Sequence, residues 1–112
     1  MFKIAITFKR KQGLSVEAFR AYRRDVHAPL LLSIPEAKLI RRFVVSLPVQ
    51  APHWPEPSFD ALVEGWFDSM EGIDALYLSE NFQTKVDPDH INFIDLRTVQ
   101  RMICEEHVVS GS

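Results

Sequence analysis

The sequence is poor in most residues that announce a chemistry. It holds one cysteine, Cys104, in 112 residues, so no disulfide framework can form, and we expect a protein of a reducing, cytoplasmic setting. Four glycines form no phosphate-cradling loop, and no nucleotide or other cofactor is expected. Thirteen Lys and Arg against 15 Asp and Glu leave a net charge of -2, which is no footprint for nucleic acid. No apolar run approaches the roughly 20 residues of a spanning helix, and no membrane or targeting segment is expected. The histidines at 27, 53, 90 and 107 show no ligand pair at helical or hairpin spacing, so no metal is expected either. A serine-nucleophile motif is also missing. What is present, 46% hydrophobic and 25% charged residues, fits one small globular domain over residues 1–112.

Phe2, Ile4, Ile6 and Phe8 alternate with Lys3, Ala5, Thr7 and Lys9, which predicts a strand over residues 2–9. Lys11-Gln12-Gly13 turns the chain, and Ser15 stands as N-cap to a helix with Val16, Phe19, Tyr22/Arg23, Val26 and Leu30 at helical spacing. Pro29 disfavours the helical conformation at Ala28 and is expected to kink or end this helix near His27. Residues 38–47 are rich in β-branched and aromatic types and predict a second strand. Four of the seven prolines fall between Pro48 and Pro57, a loop unable to pair in a sheet, whose His53-Trp54 is a candidate lid or interface contact. Phe59 to Phe67 is apolar at nearly every position, as in a central strand covered on both faces. Asp68-Ser69-Met70-Glu71 resembles a capping box opening a second helix with Ile73, Leu76 and Tyr77. Asp87-Pro88-Asp89 breaks the chain, and Arg97 to Val109 predicts a fourth strand.

The order β-α-β-β-α-β is that of a ferredoxin-like α+β fold, a four-stranded antiparallel sheet with both helices on one face. The third strand is apolar on both parities, with Ala61, Val63 and Phe67 against Leu62 and Trp66. Two helices cover only one face, so a second copy of the sheet is the simplest cover for the other, and we expect a homodimer.

Five segments together resemble a known family. Phe19-Arg20-Ala21-Tyr22, Val26-His27-Ala28-Pro29-Leu30, Trp66-Phe67-Asp68-Ser69, Asn92-Phe93-Ile94-Asp95 and Glu105-Glu106-His107-Val108-Val109 match, in order and spacing, the pattern of EthD-like proteins of the dimeric α/β-barrel superfamily. Arg23 departs from it, standing where many relatives carry Trp. The resemblance implies the dimeric barrel and a pocket in each subunit binding a small hydrophobic or aromatic molecule. Its implied chemistry is cofactor-independent: isomerisation, dehydration, decarboxylation, or oxidation of an electron-rich substrate by oxygen. A non-catalytic accessory module serving an oxygenase is the other class it leaves open.

Within this frame His27 is the candidate acid/base. On a wheel of 100° per residue from Phe19, it lies at about 80° beside Leu30 at about 20°, on the flank of the buried stripe. A half-buried imidazole there could move a proton, or could simply lock the helix end. Arg23, at about 40°, is a charge inside the stripe, either snorkelling to the edge or aimed into the pocket to stabilise an anion. Glu64 on the third strand is a candidate general base or the partner of Lys3, Arg41 or Arg42. Trp66 and Phe93 are candidate walls of the substrate site, and His107 enters it through the resemblance. Tyr22, at about -60°, is packing or a substrate contact at the other edge of the stripe. Cys104 is expected to be a core thiol.

Overall fold

Alternation at the N-terminus produces β1 (Phe2–Arg10), which sits inside the sheet between two partners. The computed structural model describes residues 1–111. Its four strands run in the order β2-β3-β1-β4, with β2 at Arg42–Ser46, β3 at Ala61–Phe67 and β4 at Ile94–Glu105. Every pairing is antiparallel, and the helices lie on one face, so the fold is ferredoxin-like as expected.

Strands β2, β3 and β4 differ from expectation in their bounds. Residues Pro35–Leu39 form a 3-10 turn, and β2 begins only at Arg42, because Pro35 fixes a helical φ at the start of that segment. β3 begins at Ala61 rather than Phe59; just before it, the Asp60 N–H donates to the Phe8 carbonyl and its carboxylate accepts from the Arg10 backbone N–H and guanidinium. β4 starts three residues earlier than expected and stops at Glu105, so Glu106, His107 and Val108 lie beyond the sheet. A bulge breaks the β1–β4 register between Thr7, opposite Gln100, and Lys9, opposite Asp95. Bulges re-aim side chains, and here Leu96 and Val99 both reach the cavity described below.

Of the two outcomes expected at Pro29, a kink or an end to the first helix, the end is the one corrected. Ser15 caps α1 (Val16–Tyr22), its hydroxyl accepting the Ala18 N–H at 3.1 Å. The chain does not leave the helix near His27. Residues Arg23–His27 form a widened π turn, closed by the Ala28 N–H donating to the Arg23 carbonyl, and α2 (Ala28–Leu32) continues beyond it. In a regular helix Pro29 would lack one donor and press its ring on the carbonyl four residues back; the extra residue in the turn relieves that collision. The second helix, α3 (Met70–Tyr77), is capped by Ser69, whose hydroxyl accepts the Gly72 N–H. Glu71 stands one residue short of the capping-box position, so no reciprocal bond forms.

Side chains on the helix-facing side of the sheet divide into two clusters. One gathers Ile4, Leu31, Phe67, Ile73, Leu76 and Val86; the other gathers Phe8, Phe19, Ala61, Val63, Phe93 and Ile94. Ile6 and Phe43 touch both. The outer face carries Lys3, Glu64 and Trp66 beside Leu62 and Met102. Cys104 lies there too, opposite Lys3 and partly exposed, so it is not a core thiol.

Candidate active site

Between the two clusters, above Ile6 and Phe43, lies a cavity of about 610 Å³. That volume lies within the range of small-molecule sites. Its walls are mostly apolar, with polar groups contributed by Arg23, His27, Tyr77, Asp87, His90 and Arg101.

His27 is 5% exposed and is fixed through Nδ1, 3.0 Å from Asp89 Oδ2. Asp89 comes from the 3-10 turn at Asp87–Asn92, just after Pro88. Its other oxygen accepts from the Tyr22 hydroxyl at 2.6 Å and from Asn92 Nδ2 at 3.0 Å. Burial would raise the Asp89 carboxyl, but the hydrogen bonds from Tyr22, Asn92 and His27 outweigh it and hold the group below the usual carboxylate range. An ionised carboxylate only accepts, so Nδ1 carries the proton and Nε2 of neutral His27 keeps its lone pair. Desolvation pushes His27 down to about 4, against the opposing pull of Asp89, with the neighbouring His90 and Arg23 lowering it further. The bond to Asp89 in turn raises the Tyr22 hydroxyl.

A second imidazole stands against the first. The rings of His27 and His90 are 4.5 Å apart, and His90 Nδ1 is 3.1 Å from Asp87 Oδ1. His90 is more open than His27, which gives the pair a route to solvent. Phe93 packs on His27 at 4.8 Å between ring centres and on Tyr22 at 5.3 Å, fixing the ring planes.

Arg23 is 6% exposed and does not snorkel to the edge. Its guanidinium lies 5.9 Å from the Phe43 ring, and its Nε is buried without a hydrogen-bond acceptor. Burial lowers it to about 10, with Tyr77 alone opposing. Burial likewise pushes the Tyr77 hydroxyl up to about 12, with Arg23 and Arg101 both pulling it back.

Of the residues singled out from the sequence, the fold brings Arg23, His27 and Phe93 to the cavity and places Tyr22 behind it, on Asp89. It does not bring Glu64, Trp66 or His107 there. Glu64 accepts from Lys3 Nζ at 2.7 Å on the outer face, which is its pairing alternative rather than its general-base one. Trp66 stacks under Lys3 and Arg42 on that face and donates Nε1–H to Glu106. His107 is exposed past the end of β4. His53 and Trp54 are exposed in the proline loop, away from the cavity lining. Asp89 and His90 escaped the sequence reading; the one available signal was a second Asp and a His directly after the Asp87-Pro88 break.

The model of the EthD domain matches residues 11–97. The chain belongs to the EthD family. It is 31% identical to dehydratase ustZ of Ustilaginoidea virens over 105 residues, covering 84% of this chain and 75% of that protein. It is 30% identical to the conidial pigment biosynthesis dehydratase EthD of Metarhizium robertsii, covering 82% of this chain and 72% of that protein. Among solved structures, an EthD family protein of Bacillus halodurans superimposes with a TM-score of 0.75 at 23% identity, covering 96% of this chain and 99% of that one. No helix among the described residues is long and apolar enough to cross a membrane.

Proposed function

We propose that this EthD protein is a cofactor-independent dehydratase acting on a β-hydroxy ketone fused to an aromatic ring. The observation that carries the reading is His27 in the cavity wall with Nδ1 anchored on Asp89 at 3.0 Å, which leaves Nε2 as the nitrogen available to a ligand. The names of its two curated relatives favour dehydration over the other proton-transfer reactions. Nε2 takes the proton from the carbon next to the ketone, and the C–H pair becomes an enolate. Arg23, one helical turn away, supplies the positive charge against which that enolate develops. The enolate then expels the β-hydroxyl, whose oxygen takes back the proton from His27 and leaves as water. No oxidant, reductant or metal enters the balance.

Burial explains why the imidazolium is unfavourable by itself and strongly acidic once formed, as proton return to a poor leaving group requires. An enolate beside it supplies the negative charge that stabilises the protonated ring. The proton taken from carbon leaves with the water, so His27 ends each turnover neutral, as it began, with His90 packed against its ring at 4.5 Å.

The working unit in this reading is a homodimer formed through the outer sheet face, where Leu62, Trp66 and Met102 lie around the Lys3–Glu64 pair. The test is absorbance-monitored loss of water from a bicyclic β-hydroxy ketone. Wild type is expected to turn it over and His27→Gln to lose at least a hundredfold in kcat, as removal of a general acid/base does. Equal rates in the two proteins overturn the assignment.

A further inference from the structure

The cavity is lined by two guanidiniums, Arg23 and the exposed Arg101, and neither has an ion-pair partner among the described residues. Arg23 is 94% buried by its 6% exposure, its Nε has no acceptor, and no carboxylate among the described residues lies within ion-pair range of it. Arg101, on the helix-facing side of β4 opposite Ile6, forms no ion pair among the described residues either. Arg23, Arg101 and Tyr77, the last at the end of α3, line the same space. The acidic groups nearby are already engaged: Asp89 by Tyr22, Asn92 and His27, and Asp87 by His90.

A buried guanidinium has five donors and no acceptor, and it is a costly arrangement unless an anion completes it. We propose that the cavity recognises its substrate by a permanent carboxylate seated against Arg23 and Arg101, with the Tyr77 hydroxyl as a third donor, so that the ligand is an aromatic carboxylic acid. A carboxylate is charged at neutral pH without a further proton transfer, and its two oxygens match the guanidinium fork. Phe8, Phe43, Val63, Phe93 and Val99 supply the apolar walls for the ring system. The proposal rests on the cavity being the substrate site, and it names the class of substrate that site takes.

The experiment compares naphthoate with its uncharged isostere naphthamide by calorimetric titration of the full chain. Wild type is expected to bind naphthoate about tenfold or more tightly than naphthamide, the selectivity of charge-assisted hydrogen bonds. Arg101→Met is expected to weaken naphthoate severalfold with naphthamide unchanged, and Arg23→Met, checked for its fold by circular dichroism, to abolish the preference. Should Arg23→Met fail to fold, Arg101→Met decides alone. His27→Gln is expected to keep the preference, and wild type that selects naphthoate but dehydrates nothing upholds the carboxylate site and defeats the dehydratase reading. Equal binding of the two probes by wild type, binding of neither at millimolar concentration, or an unchanged preference in Arg101→Met overturns the proposal.

Discussion

Acidification is expected to unfold this protein earlier than its carboxylates alone would dictate, because His27 is buried neutral. Its folded value of about 4 lies below its unfolded value of 6.5, so the unfolded chain binds the proton first as pH falls. Stability is therefore fully present above pH 6.5, is lost as pH falls toward 4, and is flat with respect to this group below that. The whole window is worth about 3 kcal/mol, and about 2.5 kcal/mol of it is gone by roughly pH 4.5, taking ~1.36 kcal/mol for each pKa unit. Asp89 adds a loss in the same direction, but below its unfolded value of 3.8. The assay is urea denaturation of wild type and His27→Gln at fixed protomer concentration, in steps from pH 7.5 to 4.5. Gln keeps an amide donor for Asp89 and has nothing to titrate. The stability difference between the two proteins is expected to shift by about 2.5 kcal/mol against wild type across that range. A difference that stays constant with pH, or moves in favour of wild type on acidification, refutes the burial argument.

Asp89→Asn removes the acceptor that fixes the His27 tautomer, and turnover is expected to fall about a hundredfold or more while substrate KM changes little; steady-state kinetics checks it. Phe93→Ala opens a hole beside Phe19, Tyr22 and His27 and is expected to cost about 3–5 kcal/mol, read as a lowered urea midpoint. Glu64→Gln loses a half-buried ion pair with Lys3 on the outer face and is expected to cost about 1 kcal/mol with kcat unchanged, since it sits away from the cavity.

The topology was legible because its signals are periodic. Alternation over residues 2–9, the apolar run before Phe67 and the stripe after Ser15 each mark an element by spacing alone. Arg23, His27 and Phe93 were legible for a related reason: a charge and an imidazole on a buried helical stripe have to be near the core, and the family pattern flags the segment around Phe93. Tyr22 and His27 were not legible as a pair. A regular helix sets them about 140° apart, yet both meet Asp89, because the π turn between them carries one residue more than a regular turn. Asp89 itself arrives from a 3-10 turn whose phase no periodic pattern reports. Glu64 and Trp66 show the opposite failure. Strand parity places them together on one face, and parity alone cannot say which face the helices cover.

In the proposed reaction His27 moves a proton to and from the carbon next to a ketone. A ketone that lacks the β-hydroxyl isolates that step, because exchange then occurs without loss of water. Incubating α-tetralone with the protein in D2O and following the signal of its enolisable hydrogens by proton NMR measures it directly. Wild type is expected to wash deuterium into that position well above the buffer rate, and His27→Gln at the buffer rate. Exchange by wild type no faster than buffer, or equally fast in both proteins, contradicts the account.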